Sequence, residues 1–493
     1  MFGEPSAPPP DVLAWRAAAT PRRLAVLAPR VAWDYATLHA QAHAWAHWLR
    51  ERGLRAGQRV ALAARPTPQA LALWHGLLRV GLTPVLLHLR FGPHEHARVL
   101  DAVQPRAVLV TPEAAAGLRL PPDAPVWVLP AAPPSPSRPP EPPSGTAPVE
   151  VLLLTSGTTQ APKIARLTPA NFFWSALAAG YRLGVSPRDR WLLTLPLYHV
   201  GGLSIVMRSA LYGIAVVIPP PRPSFDPQAL WHDLHRWQPT LVSVVPTMLY
   251  RLLRAAPQAP APRALRVLLV GGAAAGADLL AEARARGFPV ALTYGLTEAA
   301  SQVATAAPAT VWAKPGSVGR ALLFTEVSVR DPAGRVLPAG QVGEIWVRGP
   351  GVFRGYWRAP AATRRALHPE GWLRTGDAGY VDLDGDLWVL ARRDDLIVTG
   401  GENVAPHEVE AVLRQHPAVA DVAVVGVPDP EWGQQVAAAV VLRPQRSVSP
   451  AALQAFCRQY LAGYKVPRRW RFVAQLPRTA SGKVRRAAVR AWF

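Results

Sequence analysis

Apolar residues in the first third of the chain follow two alternating periods. The spacing predicts helices over residues 33–53 and 68–81, and short apolar strands over 58–64 and 83–89. Each helix stops at a glycine, as helices commonly do at their C-terminal cap. Strands that alternate with amphipathic helices favour a mostly parallel sheet with helices on its faces.

The same rhythm resumes after a proline-rich connector. Residues 130–148 are nearly half proline, which indicates an extended surface segment. From residue 190 to about 300 the pattern predicts further strands, at 191–195, 215–219, 241–245, 266–270 and 290–293. We therefore expect one large α/β body that continues through this region.

Short β segments with turn signals follow over residues 317–390 and predict hairpins of an antiparallel unit. A new α+β pattern starts near 391–395 and runs to the end. The fold class is therefore α/β. We expect a large N-terminal domain of mixed or parallel sheets with flanking helices and a small β subdomain over 1–390, a hinge at 391–394, and a small mobile α+β lid domain over 395–493.

Composition supports a globular protein of at least two domains, because half of the 493 residues are hydrophobic and only 17% are charged. The single cysteine, Cys457, excludes a disulfide within the chain and fits a reducing cytoplasm. We expect no signal peptide, since no basic start precedes an apolar run. The longest apolar stretch, around 201–221, is interrupted by Arg208, so we expect no membrane span.

The formal net charge of +22 raises the question of nucleic-acid binding. The arginines are spread along the whole chain and do not form runs, which favours a solvated surface or the collection of anionic substrates. Only four of the 54 basic residues are lysines: Lys163, Lys314, Lys465 and Lys483. A lysine kept against this bias would suit a place that needs a compact ammonium group.

The segment TSGTTQAPK at residues 155–163 follows an apolar strand. Small residues let backbone N–H groups approach a phosphate, hydroxyls add donors, and Lys163 adds a point charge. At about 4 Å and an effective dielectric near 20, one such charge pair is worth roughly 4 kcal/mol before desolvation. The spacing is not that of a Walker loop. A polar surface loop would explain the same residues.

The segment TYGLTEAA at residues 293–300 also follows an apolar strand. Tyr294 offers a stacking face, Thr297 a hydroxyl and Glu298 a hard oxygen ligand, which together would suit a nucleotide with magnesium. A strand-to-helix turn with Thr297 as N-cap would account for the pattern equally.

Other segments add weaker indications of a nucleotide site. Glycines in VGGAAAG (270–276) would let a flat ring lie on the backbone. Asp377, in a TGD turn, and Arg392 lie fifteen residues apart, and a carboxylate is suited to chelating two ribose hydroxyls. Lys483 stands on a turn of LPRTASGKVRR near the C-terminus. Ordinary turns would explain each of these segments.

The segment LPLYHVGGLSIVMRS (195–209) carries His199 and, nine residues later, Arg208 within an apolar stretch. A buried arginine needs an anionic partner. That partner would be a substrate carboxylate or an internal Asp or Glu, and the sequence leaves both open.

The motifs TSGTTQAPK, YGLTE, RTGD, ARRDD, GGENVAPHEVE and PRTASGK stand in one order over nearly the whole chain. In this order the chain resembles the acyl-adenylate-forming superfamily, which includes acyl- and aryl-CoA ligases. The resemblance implies a ligase that uses ATP, Mg²⁺ and coenzyme A as co-substrate, with a small-molecule carboxylic acid as partner.

The resemblance also implies roles for individual residues. The mobile phosphate loop would contain Thr155, Ser156, Gly157, Thr158, Thr159 and Lys163. Gly271, Gly272 and Ala273 would border the adenine, and Tyr294 and Gly295 would lie against it. Thr297 would touch the α-phosphate, Glu298 would hold Mg²⁺, Asp377 and Arg392 would bind the ribose, Asp394 would be the hinge, and Lys483 would reach the reacting carboxylate.

Three departures from the superfamily pattern stand out. Gln160 replaces a usual glycine of the loop, Ile164-Ala165 replace the glycine after the lysine, and Ala391 replaces the glycine before the ribose arginine. The first two predict a stiffer phosphate loop.

Within the superfamily, residues 196–213, 294–303 and 395–410 look like the o-succinylbenzoate–CoA ligases of menaquinone biosynthesis. That resemblance implies that Arg208 binds a substrate carboxylate, that Ser301 lies near the aromatic ring, and that His199 gates or orients the substrate. Gly201 replaces a serine found in some relatives, so one polar contact would be lost.

The expected reaction has two steps, through an acyl-adenylate and then a thioester with coenzyme A. An aryl- or fatty-acid–CoA ligase of other specificity remains open, as do an adenylation enzyme serving a carrier protein and an inactive homologue. A basic nucleic-acid-binding protein is the remote alternative. We expect no nucleic-acid partner and a cytoplasmic location, and the sequence leaves a homo-oligomer open.

Overall fold

The computed structural model describes residues 11–115, 118, 120–133, 149–155, 163–222, 224–392, 395–399, 402–429, 432–461, 463–479 and 482–493. The helices are α1 (Val12–Ala19), α2 (Tyr35–Glu51), α3 (Pro68–Val80), α4 (Pro93–Val103), α5 (Pro112–Ala115), α6 (Pro169–Leu183), α7 (Val200–Tyr212), α8 (Pro227–Trp237), α9 (Pro246–Ala255), α10 (Ala277–Ala285), α11 (Pro360–Ala366), α12 (Pro406–Gln415), α13 (Pro450–Arg458) and α14 (Arg486–Arg490).

The first fourteen strands are β1 (Leu24–Ala28), β2 (Val31–Asp34), β3 (Arg59–Ala63), β4 (Thr83–Leu86), β5 (Ala107–Val110), β6 (Val126–Val128), β7 (Val151–Leu154), β8 (Ile164–Leu167), β9 (Arg190–Leu192), β10 (Ala215–Val217), β11 (Leu241–Val244), β12 (Val267–Gly271), β13 (Val290–Leu296) and β14 (Ser301–Ala306). The others are β15 (Glu326–Arg330), β16 (Gly343–Arg348), β17 (Leu373–Val381), β18 (Leu387–Arg392), β19 (Ile397–Thr399), β20 (Glu402–Val404), β21 (Val419–Asp429), β22 (Gly433–Leu442) and β23 (Arg469–Phe472).

The chain divides into two compact units. Among the described residues, the first unit comprises those within 11–155, 163–327 and 347–374, and the second comprises those within 328–346 and 375–493. The predicted domain limits at 390 and 395 stay a prediction, and Asp394, the predicted hinge, lies outside the described residues.

An eight-stranded sheet forms one layer of the first unit, in the order β14-β13-β12-β11-β9-β10-β1-β2. Its central neighbours run parallel, whereas β14 and β2 pair antiparallel with β13 and β1. The strands β11, β12 and β13 pack with α8, α9 and α10 in one apolar core that includes Trp231, Leu249 and Phe288. The parallel strands predicted from 190 to 300 are therefore confirmed.

A six-stranded sheet forms the other layer, in the order β6-β5-β3-β4-β7-β8, and only β8 is antiparallel to its neighbour. The helix between β3 and β4 is bounded as its sequence predicts. At its start, the Ala70 N–H donates to Thr67 Oγ1 at 3.1 Å, and at its end Gly81 adopts φ +81°.

The helix predicted over 33–53 begins later than expected. Residues 31–34 form β2, and Asp34 caps α2 by accepting a hydrogen bond from the Thr37 N–H at 2.8 Å. The apolar period continues across this strand-to-helix junction, which explains why the sequence pattern placed the helix start too early.

The second unit contains most of a four-stranded sheet, β15-β16-β17-β18, and a five-stranded sheet formed by β19 to β23. The antiparallel pairing of β17 with β18 confirms the predicted hairpin. One face of the five-stranded sheet packs on α12 and α13 around Leu413 and Leu453. The mixed α/β fold class is therefore confirmed. Among the described residues, no helix is both long and apolar enough to cross a membrane.

Candidate active site

The predicted phosphate loop is framed by two paired strands of the first unit. Leu154, at the end of β7, pairs with Ile164, at the start of β8. The Thr155 backbone N–H donates to the Lys163 carbonyl at 2.9 Å, and its hydroxyl donates to the same oxygen at 3.3 Å. The structure therefore brings together the first and last residues of the loop. Ser156, Gly157, Thr158, Thr159 and Gln160 lie outside the described residues.

The substitutions after the lysine lie in a strand. Ile164 is 5% exposed and Ala165 is fully buried, and both belong to β8. Ile164 packs in an apolar cluster with Val85 and Leu152. These residues therefore belong to the strand that follows the loop, and the stiffness expected of the loop stays a prediction.

The predicted adenine border lies at the carboxyl ends of two adjacent parallel strands. Gly271, the last residue of β12, pairs with Thr293 of β13, one residue before Tyr294. A Cβ on Gly271 would lie 2.5 Å from Thr293 Cγ2, so only glycine fits there, and Gly272 has φ +81°. Ala273 is exposed at the same edge. The structure brings these residues together where α/β sheets bind ligands.

The turn between β13 and β14 carries Thr297, Glu298 and Ser301. Thr297 opens a short 3-10 turn without capping it, so the alternative of a strand-to-helix N-cap is wrong. Gly295 is required because a Cβ there would lie 1.8 Å from the Ser301 carbonyl oxygen. Ser301 itself has φ +107°, a strained conformation for a residue with a side chain. Such strain is common at functional sites and is consistent with the substrate role predicted for Ser301.

Tyr356 is a site residue that none of the sequence motifs indicated. Its hydroxyl donates to Glu298 Oε1 at 2.8 Å, and Lys163 Nζ lies 5.1 Å from the centroid of its ring. The phosphate-loop lysine and the predicted magnesium ligand therefore contact one tyrosine. The signal in the sequence was only the Gly-Tyr pair at 355–356, which fits many ordinary turns.

His199 precedes the first turn of α7 and lies in an aromatic cluster. Its ring centroid is 4.8 Å from that of Tyr198 and 5.4 Å from that of His88. His88, which no sequence motif indicated either, stacks on Phe91 at 4.5 Å. Burial is the main cause that lowers the pKa of His88 to about 4, and the nearby His199 contributes in the same direction. His88 is therefore neutral at pH 7.

The start of α7 is packed closely against the preceding turn. A Cβ on Gly202 would lie 2.2 Å from the Pro196 carbonyl oxygen, whereas a Cβ on Gly201 would meet only Leu195 Cδ1 at 3.0 Å. Gly202 is therefore required by packing. At Gly201, where some relatives have a serine, a Cβ would be nearest to the flexible end of the Leu195 side chain.

Arg208 lies on α7, nine residues after His199, and is 2% exposed. Its Nε and Nη2 atoms have no hydrogen-bond partner among the described residues, and none of the described carboxylates forms an ion pair with it. The guanidinium lies 5.7 Å from the Trp191 ring centroid. Burial lowers the pKa of Arg208 from its ordinary value. An internal acidic partner is therefore not found in the described part of the chain.

In the second unit, Asp377 and Arg392 are direct partners across the antiparallel pair β17–β18. Asp377 is 7% exposed, and its backbone N–H donates to Thr375 Oγ1 at 3.0 Å. Residues fifteen positions apart in sequence are thereby adjacent. This register is consistent with the expectation from the sequence that both residues bind the ribose.

Lys483 lies in the second unit on a tight turn and is exposed. The Thr479 N–H donates to the Lys483 carbonyl at 2.8 Å, and Gly482 adopts φ +84° between them. Arg478 closes the turn by donating to the Gly482 carbonyl at 2.6 Å and forms an ion pair with Asp421. The turn is therefore held against β21.

The described residues fit a magnesium ion bound together with a nucleotide. No group of three or more His, Cys, Asp or Glu side chains suited to a metal occurs in the described ranges. Magnesium is commonly held by one or two carboxylates together with substrate phosphates and water. Glu298, whose carboxylate accepts a hydrogen bond from Tyr356, would provide such a single ligand.

The chain matches two family models. Residues 13–357 match the AMP-binding enzyme family, and residues 408–483 match the AMP-binding enzyme C-terminal domain. A 2-succinylbenzoate–CoA ligase of Geobacillus kaustophilus is 40% identical over 481 residues, which cover 97% of this chain and 96% of that protein.

Solved structures are similar over the full length. The o-succinylbenzoate CoA synthetase of Bacillus subtilis in complex with the acyl-adenylate intermediate superposes with a TM-score of 0.86 at 34% identity, covering 98% of each chain. The same enzyme in complex with ATP and a magnesium ion gives a TM-score of 0.85 at 34% identity, covering 97% of this chain and 99% of that one.

Proposed function

The chain belongs to the AMP-binding enzyme family, and we propose that it is an ATP-dependent ligase that converts o-succinylbenzoate to o-succinylbenzoyl-CoA in menaquinone biosynthesis. The substrate carboxylate attacks the α-phosphate of ATP, which gives an acyl-adenylate and releases pyrophosphate. The thiol of coenzyme A then attacks the acyl carbonyl, loses its proton, and displaces AMP.

The observation that carries the choice of acid is Arg208. A buried guanidinium without an anionic partner among the described residues is costly, and a bound anion removes that cost. o-Succinylbenzoate has two carboxylates, of which only one is activated. The other stays an anion throughout and supplies the partner that Arg208 lacks. A fatty acid would bring no second charge.

The adenylation step depends on charge neutralisation and positioning more than on a protein nucleophile. Lys163 would neutralise the departing phosphates, Thr297 would donate to the α-phosphate, and Lys483 would contact the reacting carboxylate. Magnesium, when bound, would supply further positive charge to the phosphate oxygens, with Glu298 as its protein ligand.

The nucleoside would be held by two further groups. The edge formed by Gly271, Gly272 and Ala273 would take the adenine against Tyr294, with Gly295 allowing close approach. Asp377 and Arg392 would chelate the ribose hydroxyls, a role that their direct cross-strand pairing supports.

The acid would lie near α7 and the turn after β13. Arg208 would bind the second carboxylate, and Ser301 would lie beside the aromatic ring. His199, at the start of α7, would orient the reacting end of the acid and separate it from solvent. Gly201 would leave room there because it has no side chain.

The two half-reactions need different groups around one carbonyl. A hinge at Asp394 would let the domain over 395–493 withdraw Lys483 and bring residues 400–406 towards the incoming thiol. A cytoplasmic location and the absence of a nucleic-acid partner remain predictions from the sequence.

The proposal is tested by pyrophosphate release with a panel of acids, followed by mass detection of the CoA thioester. The panel contains o-succinylbenzoate, benzoate, malonate and a long-chain fatty acid. We expect the highest kcat/KM for o-succinylbenzoate. A preference for the fatty acid or for benzoate would refute the proposed substrate but not the proposed class of reaction. If no acid gives pyrophosphate release and the protein binds DNA in a salt-dependent way, both the proposed substrate and the proposed reaction class are refuted.

A further inference from the structure

Tyr356 contacts the two charged side chains that the proposed function assigns to the triphosphate. It is 8% exposed, so its ring is held inside the first unit. Its hydroxyl donates to Glu298 Oε1 at 2.8 Å, while the Lys163 ammonium lies 5.1 Å from its ring centroid. One side chain thus uses its polar end for an anion and its π-face for a cation.

The backbone around Tyr356 connects the same two regions. We call residues 353–357 the bridging segment. At its start, the Phe353 N–H donates to the Glu298 carbonyl at 2.9 Å. At its end, the Trp357 N–H donates to the carbonyl of Ile164, the residue after Lys163, at 2.8 Å. The distance between the lysine and the carboxylate is therefore set by main-chain hydrogen bonds as well as by the phenol.

The direction of the phenol is fixed by the residue before it. Gly355 adopts φ +113°, and a Cβ there would lie 2.5 Å from Thr363 Cγ2. The Tyr356 N–H donates to Thr363 Oγ1 at 2.9 Å. Phe353 packs edge-on against the tyrosine ring at 4.9 Å between centroids. The ring is held from several sides, which is what a group needs if it is to orient another residue.

We infer that Tyr356 is a positioning residue that orients the Glu298 carboxylate for a divalent cation and holds Lys163 beside it before the nucleotide binds. This inference rests on the proposed function, because it takes Glu298 and Lys163 as groups that act on one triphosphate. Hydrogen bonds to a metal-binding carboxylate fix its rotamer, and their loss typically costs 10–100-fold in metal affinity. The ring face gives the lysine a resting position without competing for its three N–H donors.

Two variants separate the hydroxyl from the ring. Tyr356→Phe keeps the π-face for Lys163 and removes the donor to Glu298. Tyr356→Leu removes both. Tyr181→Phe is the matched control, since Tyr181 lies on α6 and is 78% exposed. All are compared with the full-length wild type by thermal unfolding, so that loss of fold is seen directly.

The first readout is Mn²⁺ binding in the presence of α,β-methylene-ATP, monitored by electron paramagnetic resonance. We expect Tyr356→Phe to weaken Mn²⁺ binding by about tenfold or more, with a melting temperature close to that of the wild type. Tyr181→Phe should bind Mn²⁺ as the wild type does. Wild-type Mn²⁺ affinity in Tyr356→Phe would overturn the role of the hydroxyl.

The second readout is binding of a fluorescent ATP analogue without metal. We expect Tyr356→Phe to bind it as the wild type does, and Tyr356→Leu to bind it several-fold more weakly, because only the second variant releases Lys163. Equal binding by the two variants would overturn the role of the ring. If Tyr356→Leu is unfolded at the assay temperature, the ring is needed for packing. That result would also overturn the role of the ring in holding Lys163.

Neither readout requires an acid or turnover. If the wild type releases no pyrophosphate with o-succinylbenzoate but Tyr356→Phe still loses Mn²⁺ affinity, the proposed substrate fails and the positioning role stands. If the wild type is active and Tyr356→Phe binds Mn²⁺ normally, the positioning role fails alone.

Discussion

Replacing Arg208 by methionine should stabilise the ligand-free protein and weaken binding of the proposed acid at the same time. Arg208 is 2% exposed, and two of its nitrogens lack partners among the described residues. Methionine keeps much of the buried aliphatic stem and removes the charge. Burying the guanidinium thus costs folding free energy, and a bound anion would offset that cost.

The size of the stability change follows from the contacts of the side chain. Each unpartnered buried donor nitrogen costs about 1–3 kcal/mol, so Nε and Nη2 together cost about 2–6 kcal/mol. The guanidinium recovers about 0.5–2 kcal/mol from the Trp191 ring, whose centroid is 5.7 Å away. We therefore expect Arg208→Met to raise the unfolding free energy of the ligand-free protein by up to roughly 5 kcal/mol, measured by urea unfolding.

The effect on the acid has the opposite sign. A hydrogen bond to a charged group contributes about 1.5–3 kcal/mol, so losing one or two predicts a rise in the KM for o-succinylbenzoate of about tenfold or more. A second acid, the analogue of o-succinylbenzoate in which a hydrogen replaces the carboxylate on the ring, should be used equally by the wild type and Arg208→Met. Arg188→Met, at an exposed arginine, is the control and should change neither quantity. The reasoning is refuted if Arg208→Met lowers the unfolding free energy by more than about 1 kcal/mol, or if both acids lose affinity equally.

Three other outcomes are expected. Lys483→Ala should lower the rate of acyl-adenylate formation about a thousandfold, because it removes a charge worth roughly 4 kcal/mol. Thioester formation from supplied acyl-adenylate should be largely unchanged. Equal loss in both half-reactions would refute the role of Lys483 in adenylation. Because the pKa of His88 is about 4 in the folded state and 6.5 in its ordinary state, the unfolded chain takes up the proton first, so stability should fall by up to about 3 kcal/mol as pH drops from 6.5 to 4. His88→Phe should flatten this fall in urea unfolding, and an unchanged slope would contradict the burial argument. Gly295→Ala should lower the unfolding free energy by about 2 kcal/mol or more, because its Cβ would lie 1.8 Å from the Ser301 carbonyl oxygen; a stable, active variant would show that the turn can open.

The ordered motifs were enough to indicate the reaction class. Alternating periods placed five strands of the eight-stranded sheet, β9 to β13, within a few residues, since buried parallel strands are short apolar runs bounded by turn residues. The helix start at Tyr35 was misplaced because a strand with its own apolar residues runs directly into the helix.

The meaning of Ile164 and Ala165 depended on the structure. In sequence they follow the lysine of the phosphate loop and look like substitutions within it. In the fold they are the first residues of β8 and are buried, Ile164 accepts a hydrogen bond from Trp357, and Ala165 is paired with Tyr356. A single sequence does not show where a loop ends when the next strand begins with small or branched residues.

What the sequence alone determined was local: the apolar periods, the order of the motifs, and the chemistry that each motif carries. What only the tertiary structure decided was which distant groups meet. Tyr356 reaches Glu298 across 58 positions, His88 packs on His199 across 111, and Arg208 is buried without an anionic partner among the described residues. The physical reason is that burial and contact depend on how separate strands and helices pack, and neither is encoded in the spacing of one segment.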